Sequence, residues 1–184
     1  MEAIQSFVPK YTVEDYEQWE GEWELWNGVP VAMSPSPIRD HQITIRNLLI
    51  LIQRQLWEQD GCHCQAISDI DWRISSDSVF RPDVVVVCQE SEIADYIEQT
   101  PRLVIEVWSD STRQIDEHQK RLAYAALGVE HYVMVDHWSR KLLPLRLVDG
   151  EYVESGPECE VEAGCVVRLE DSQVWRGLRK VRRL

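Results

Sequence analysis

Two stretches decide how this chain is read: Arg81-Pro82-Asp83-Val84-Val85-Val86-Val87 and Pro101-Arg102-Leu103-Val104-Ile105-Glu106-Val107-Trp108. Each is a short aliphatic run carrying one carboxylate. Runs of this kind form strands buried on both faces. Pro82 has no N–H to give to a ladder, so regular pairing begins at Asp83. Asp83 then opens its strand, and Glu106 lies near the end of the next. If the two strands are antiparallel neighbours, the acids meet at one end of a sheet. A carboxylate there is costly unless paired, and two held together invite a divalent cation with oxygen ligands. If the connection over residues 89–100 is instead a crossover, the acids fall at opposite ends and the metal idea fails. Two solvated or salt-bridged strand-end acids are the bland alternative.

The rest of the chain supplies a frame for these strands. Thr12 to Glu20 reads as a short helix with Thr12 as N-cap. Asn27-Gly28 sits between Trp23–Trp26 and Val29–Met33, a strong hairpin signal. Ser34 to Pro37 is a proline-stiffened loop. From Ile38 to Gln59, residues Ile45, Leu48, Leu49, Ile52 and Leu56 recur at helical spacing, and Asp60-Gly61 stops the helix. Cys62 to Ile74 alternates as one strand. Ser109 to Thr112 is a dense N-cap signal for a helix ending at Leu127, with Gly128 as the residue beyond. Ile115, Leu122, Ala123 and Ala126 share what is expected to be its buried face. Glu130 to Asp136 and Lys141 to Val148 are strands, with weaker ones at Tyr152-Val153 and Cys165–Leu169. No repeat or linker interrupts the 184 residues, so a single domain over 1–184 is expected.

Composition narrows the function classes. The hydrophobic content of 44% fits a folded core, and no apolar run approaches a membrane span. Residues Met1 to Lys10 lack the basic and apolar segments of a secretory signal, and the five cysteines are odd in number and unevenly spaced. Both features suit a reducing cytoplasm better than a disulfide framework. Cys62-His63-Cys64 resembles a metal fragment. Alternation puts only its two thiols on one face, however, and structural zinc usually takes four ligands. The net charge of −13 opposes non-specific DNA binding over the whole surface. It leaves room for an enzyme with a local basic rim. The densest basic run, Arg176 to Arg183, is the natural candidate, and a solvated tail is its plain alternative.

The order of elements is helix, hairpin, long helix, three strands, helix, two strands. With Asp83, Glu106 and Lys120 in that order, the chain resembles the PD-(D/E)XK nuclease superfamily. More narrowly it is similar to the Uma-type branch of restriction-endonuclease-like proteins. The matching residues are Glu24-Leu25, Gly28, His41, Pro82-Asp83, Glu106-Val107, Ser109 and Ser111-Thr112. They continue with Asp116, Lys120, Tyr124, Gly128-Val129, Tyr132 and Asp136. The resemblance implies an α/β (α+β) fold, a central mixed sheet flanked by helices, with the two acidic strands antiparallel. It implies Mg²⁺ or Mn²⁺ held by Asp83, Glu106 and the Val107 carbonyl, a DNA substrate, and a homodimer. One departure matters. The superfamily lysine stands two residues after the second acid, where this chain has Trp108. Lys120, which shares a helix face with Tyr124, is the replacement the branch implies; a weak ion pair with Asp116 is the alternative. Glu24 is carried over as a further catalytic or ligand candidate against a plain exposed hairpin acid. For His41, helix capping is the safer reading, and His118 and His131 read as ordinary surface or half-buried residues. The rival functions are a non-catalytic binding module on the same fold and a metal-free acid–base hydrolase using the two carboxylates.

Overall fold

The computed structural model describes residues 9–33, 39–88, 95–108 and 115–178. The proline loop, the Ser109–Thr112 cap and the basic run beyond Leu178 lie outside those residues. Thr12 caps α1 (Val13–Tyr16) through a reciprocal bond pair with Asp15, so the cap is where it was expected but the helix is a single turn. β1 (Trp23–Trp26) and β2 (Val29–Ala32) form the hairpin, in register Trp26 to Val29. Asn27 and Gly28 both take positive φ, as a two-residue turn of this type requires. α2 (Arg39–Trp57) buries Ile45, Leu48, Ile52 and Leu56 along the expected stripe.

The segment read as one strand from Cys62 is two. Asp69 adopts φ 53, turning the chain between β3 (Cys64–Ser68) and β4 (Asp71–Ser75), which belong to different sheets. Asp tolerates the left-handed region better than most residues, and a bare alternation pattern carries no mark of such a bend. β5 (Ser78–Phe80), β6 (Val84–Cys88), β7 (Tyr96–Ile97) and β8 (Leu103–Val107) follow. A π-helical turn (Ile115–Lys120) leads into α3 (Arg121–Ala126). Then come β9 (His131–Asp136), β10 (Lys141–Val148), β11 (Glu151–Glu154), the hairpin β12 (Glu158–Glu162) and β13 (Cys165–Arg168), and α4 (Asp171–Val174).

The central sheet runs β11-β10-β9-β8-β6-β3, with β8 and β9 parallel and its other pairs antiparallel. A second sheet, β2-β1-β5-β4-β7, lies alongside, and β12–β13 stands as a separate pair. Alternation along β6 divides the core in two. Val84 and Val86 join the cluster under α2, whereas Val85 and Val87 join one containing Trp72, Tyr124 and Tyr132. β8 divides the same way, so Glu106 shares the face of Val104. Each fully buried valine contributes about 1.5–3 kcal/mol of transfer free energy. These runs therefore hold the ends of β6 and β8 in a fixed place.

Two expectations fail here. Leu122 is 73% exposed, while Lys120 and Tyr124 are buried, so the helix turns its charged-and-aromatic face inward rather than the apolar one. The physical reason is the polar partner waiting inside, described below. The cysteines also depart from the reading of a disulfide-free chain: Cys62–Cys165 and Cys64–Cys88 are joined. Their partners lie 103 and 24 residues apart in sequence and meet only through sheet pairing, which local spacing cannot show.

Candidate active site

β6 and β8 are antiparallel neighbours, with Val84 opposite Ile105. One further step of that register sets Asp83 opposite Glu106, on one face and at one end. The backbone bears this out: the Val107 N–H donates to Asp83 Oδ2 at 2.6 Å. The same oxygen lies 3.4 Å from His41 Nε2, in the first turn of α2. His41 thus faces a carboxylate, beyond the capping role expected of it. The Asp83 side chain keeps 19% of its exposure, so the site is reachable from solvent.

Glu106 is buried, and its Oε1 accepts two hydrogen bonds, from Lys120 Nζ at 2.9 Å and from Tyr124 Oη at 2.7 Å. Lys120 and Tyr124 therefore reach one atom from successive turns. Burial, then the neighbouring Glu106 charge, pushes the Tyr124 phenol well above its ordinary value, so it stays a protonated donor. Lys120 also lies 3.1 Å from Glu24 Oε1. Glu24 is buried rather than an exposed hairpin acid. Its carboxylate accepts from the Arg81 N–H at 2.9 Å and from Trp26 Nε1 at 3.1 Å. Trp108, where the superfamily lysine would stand, is packed into the core cluster with Tyr124 and Tyr132.

The arrangement brings Asp83, Glu106, Lys120, Glu24 and the Val107 backbone together. His118 is exposed, and His131 lies at the far end of β9 from Val135, the partner of Val107. Sequence reading missed two participants. Arg81 contributes its backbone N–H to Glu24, and His137 packs edge-on to His41 with ring centroids 6.2 Å apart. Burial, then the charge of His41, holds the His137 imidazole below its usual range. Neither contact has a local pattern: the first depends on the pairing of β1 with β5, and the second on the β9–β10 turn reaching the site.

Two buried carboxylates, Glu24 and Glu106, share one lysine ammonium, and Asp83 adds a third at the same end of the sheet. The donors are hard oxygens, which suit Mg²⁺ or Mn²⁺. Among the described residues, no third carboxylate or imidazole atom forms a mutual group within 4.8 Å with Asp83 and Glu106. Glu24 is engaged by Lys120, the Arg81 N–H and Trp26 Nε1.

Comparison with known proteins bears on the fold and the family. A solved structure from Anabaena variabilis ATCC 29413, described as a "putative nuclease belonging to DUF820", superposes with a TM-score of 0.70. It is 16% identical, over 89% of this chain and 97% of that one, and so shows the restriction-endonuclease-like fold. A DrdV–DNA complex matches at a TM-score of 0.33 and 18% identity, over 62% of this chain and 12% of that one, too partial to carry weight. No curated protein matches the chain. The family described as "Uma2: Putative restriction endonuclease" matches residues 13–172, and the chain belongs to that family.

Proposed function

We propose that this protein is a metal-dependent nuclease that hydrolyses DNA phosphodiester bonds. The observation that carries the reading is the pairing of Asp83 and Glu106 at one strand end, with Lys120 fixed on Glu106. Asp83, Glu106 and the Val107 carbonyl would hold Mg²⁺ or Mn²⁺. When bound, such an ion lowers the pKa of a water and stabilises charge on the scissile phosphate. The chain's own groups do the rest. The Val107 N–H and His41 orient the Asp83 carboxylate from two sides. Tyr124 and Lys120 fix the Glu106 carboxylate, and Glu24 holds Lys120 from the opposite side. Lys120 thereby keeps a positive charge beside the acids, where it can neutralise the charge that grows on a phosphate under attack. Trp108 and its apolar neighbours exclude water from behind the site.

A homodimer would bring two such sites to one duplex, which double-strand cleavage by a single-site subunit calls for. Among the described residues, no helix is long and apolar enough to cross a membrane. The second reading is a binding module that retains the fold without catalysis. The net charge of −13 and Trp108 in the lysine position favour it. The decisive experiment incubates the full chain with supercoiled plasmid and with single-stranded DNA, each with Mg²⁺, Mn²⁺ or chelator. Metal-dependent nicking supports the nuclease. Binding without cleavage supports the module. Cleavage that survives the chelator supports metal-free acid–base chemistry.

A further inference from the structure

The far end of β6 holds a second cluster, of sulfur. Cys64 and Cys88 face each other across β3 and β6. Cys165 opens β13, and Cys62 lies in the turn leaving α2, its N–H bonded to the Gln59 carbonyl. The structure joins them as two pairs, yet the pairs are not separate. The sulfurs of Cys62, Cys64 and Cys165 lie within 4.8 Å of one another, and so do Cys64, Cys88 and a Glu162 carboxylate oxygen. A disulfide needs only its own two sulfurs, so crosslinking gives no reason for one pair to sit on the other. Cys64 belongs to both groups and so gathers the four sulfurs into one cluster. Zn–S bonds of about 2.3 Å set sulfur–sulfur edges of about 3.8 Å, and Cys88, freed from Cys64 by reduction, would close the set. The surroundings add a second argument. The Cys64 Sγ lies 3.7 Å from Glu162 Oε2 and the Cys88 Sγ 3.7 Å from the Val161 carbonyl oxygen. Once the sulfurs ionise, a carboxylate against them is repelled unless a cation lies among them. The fifth cysteine, Cys159, is free and buried, and burial pushes its thiol up to about 12, so it stays protonated and apart.

We propose that, in the reduced chain, Cys62, Cys64, Cys88 and Cys165 hold one Zn²⁺ as a four-thiolate structural site. The site clasps the β12–β13 hairpin and the end of α2 to β3, the edge strand of the central sheet. Binding releases the four thiol protons and moves no electrons. The doubly disulfide-bonded form lies four electrons and four protons away, which a phosphine or thiol reductant supplies. Four soft donors and a carboxylate flank select Zn²⁺ over the hard cations suited to the carboxylate end. The proposal is independent of the nuclease reading.

The test uses the full chain, reduced with a phosphine under anaerobic conditions and titrated with Co²⁺, then Zn²⁺. The expected result is one Co²⁺ per chain with sulfur-to-metal charge-transfer absorption and the strong visible bands of a tetrahedral site, bleached by one equivalent of Zn²⁺. Asp83→Asn should leave this spectrum unchanged, which separates it from any ion at the carboxylates. Cys88→Ser should weaken Zn²⁺ binding at least tenfold. Should that variant fail to fold, the wild-type spectrum decides alone. Reduced wild type that binds no Co²⁺ through sulfur overturns the proposal. So does a thiolate spectrum that survives replacement of both Cys88 and Cys165.

Discussion

β6 begins at a carboxylate cluster and ends at a sulfur cluster, about 17 Å apart at the usual strand rise. The same three elements serve both ends. α2 places His41 against Asp83 at its start and, at its finish, Gln55 and Gln59, whose amides bond the backbone of Arg168 and Val166 in β13. β9 runs from His131 near the hairpin to Asp136, just before His137 near the acids. The scaffold is shared, so donor type makes the difference. At the oxygen end the side chains are hard oxygen donors, Asp83 is reachable, and a lysine is held between two acids. At the sulfur end, the clustered groups are four cysteine sulfurs and one carboxylate. An open site with a mobile ion and water suits chemistry, whereas a closed thiolate site suits fastening.

The largest effect should come from the oxygen end. Asp83→Asn or Glu106→Gln is expected to cut the initial rate of plasmid nicking by at least about 10²-fold. Cobalt loading of the cysteines should not change. A variant that cleaves like wild type would remove the metal reading; one that loses both properties would show that the two ends are one cooperative unit.

Lys120→Met should come next. It removes the ammonium from between two buried carboxylates. Losing one partner of a buried pair costs about 3–5 kcal/mol, so the unfolding midpoint should fall. At temperatures where the variant remains folded, nicking is expected to drop about 10²-fold. Unchanged nicking by Lys120→Met beside a dead Asp83→Asn would leave Lys120 with a structural role only.

The oxygen end was largely legible and the sulfur end was not, for a physical reason. Asp83 and Glu106 sit in strand runs whose local pattern marks the strand and the position of each acid along it, while the antiparallel pairing that sets both at one end came from the family resemblance. Lys120 was found through its spacing to Tyr124 in a resembled family, since Trp108 occupies the usual place. Which face of that helix turned inward was misread because an apolar count ranks Leu122 above Lys120. The buried carboxylates outweigh that count. The burial of Glu24 and the approach of His137 arise from contacts between distant turns. The cysteine cluster needs a β3–β6 pairing, a hairpin and a helix exit to meet, and none of those distances is written in the spacing of Cys62, Cys64, Cys88 and Cys165. Asp69, where one expected strand becomes two, is likewise a single left-handed residue in an alternating run.

Binding should respond more mildly. The chain is anchored up to Leu178 near the middle of α2 and the β9–β10 turn: Asn47 donates to the Val174 and Arg176 carbonyls, and Arg140 to that of Leu178. Four further basic residues, Arg179, Lys180, Arg182 and Arg183, follow that anchor. Deleting residues 179–184 is expected to weaken DNA binding and to lower the salt slope by about 0.9 for each phosphate that is no longer neutralised. Thermal stability should hold, since a run dominated by four basic residues has little apolar surface to bury. An unchanged slope would move DNA binding elsewhere, with Lys120 beside the acids and its sequence neighbours Arg113 and Arg121 as the next candidates.

The smallest effect distinguishes the two ends through pH. His131 Nε2 meets the Glu160 carbonyl at 3.1 Å; a carbonyl only accepts, so that nitrogen carries the proton. This bond links the central sheet to the hairpin that bears Cys165. Burial holds His131 below its ordinary value of 6.5, with the Glu160 bond opposing, and burial holds His137 below 6.5 as well. In each case the unfolded chain takes up a proton before the folded chain does. Stability is therefore complete above about pH 6.5 and is lost as the pH falls below it, toward the folded values. The loss is at most about 1.4 kcal/mol per pH unit for each group. Urea unfolding between neutral and mildly acidic pH should show that decline, and His131→Gln and His137→Gln should each flatten it. If the His131 change flattens only the unfolding of the hairpin end, seen by hydrogen exchange at β12–β13, the two ends open separately. If it flattens global unfolding as His137→Gln does, β9 couples the sulfur clasp to the carboxylate site in one cooperative transition.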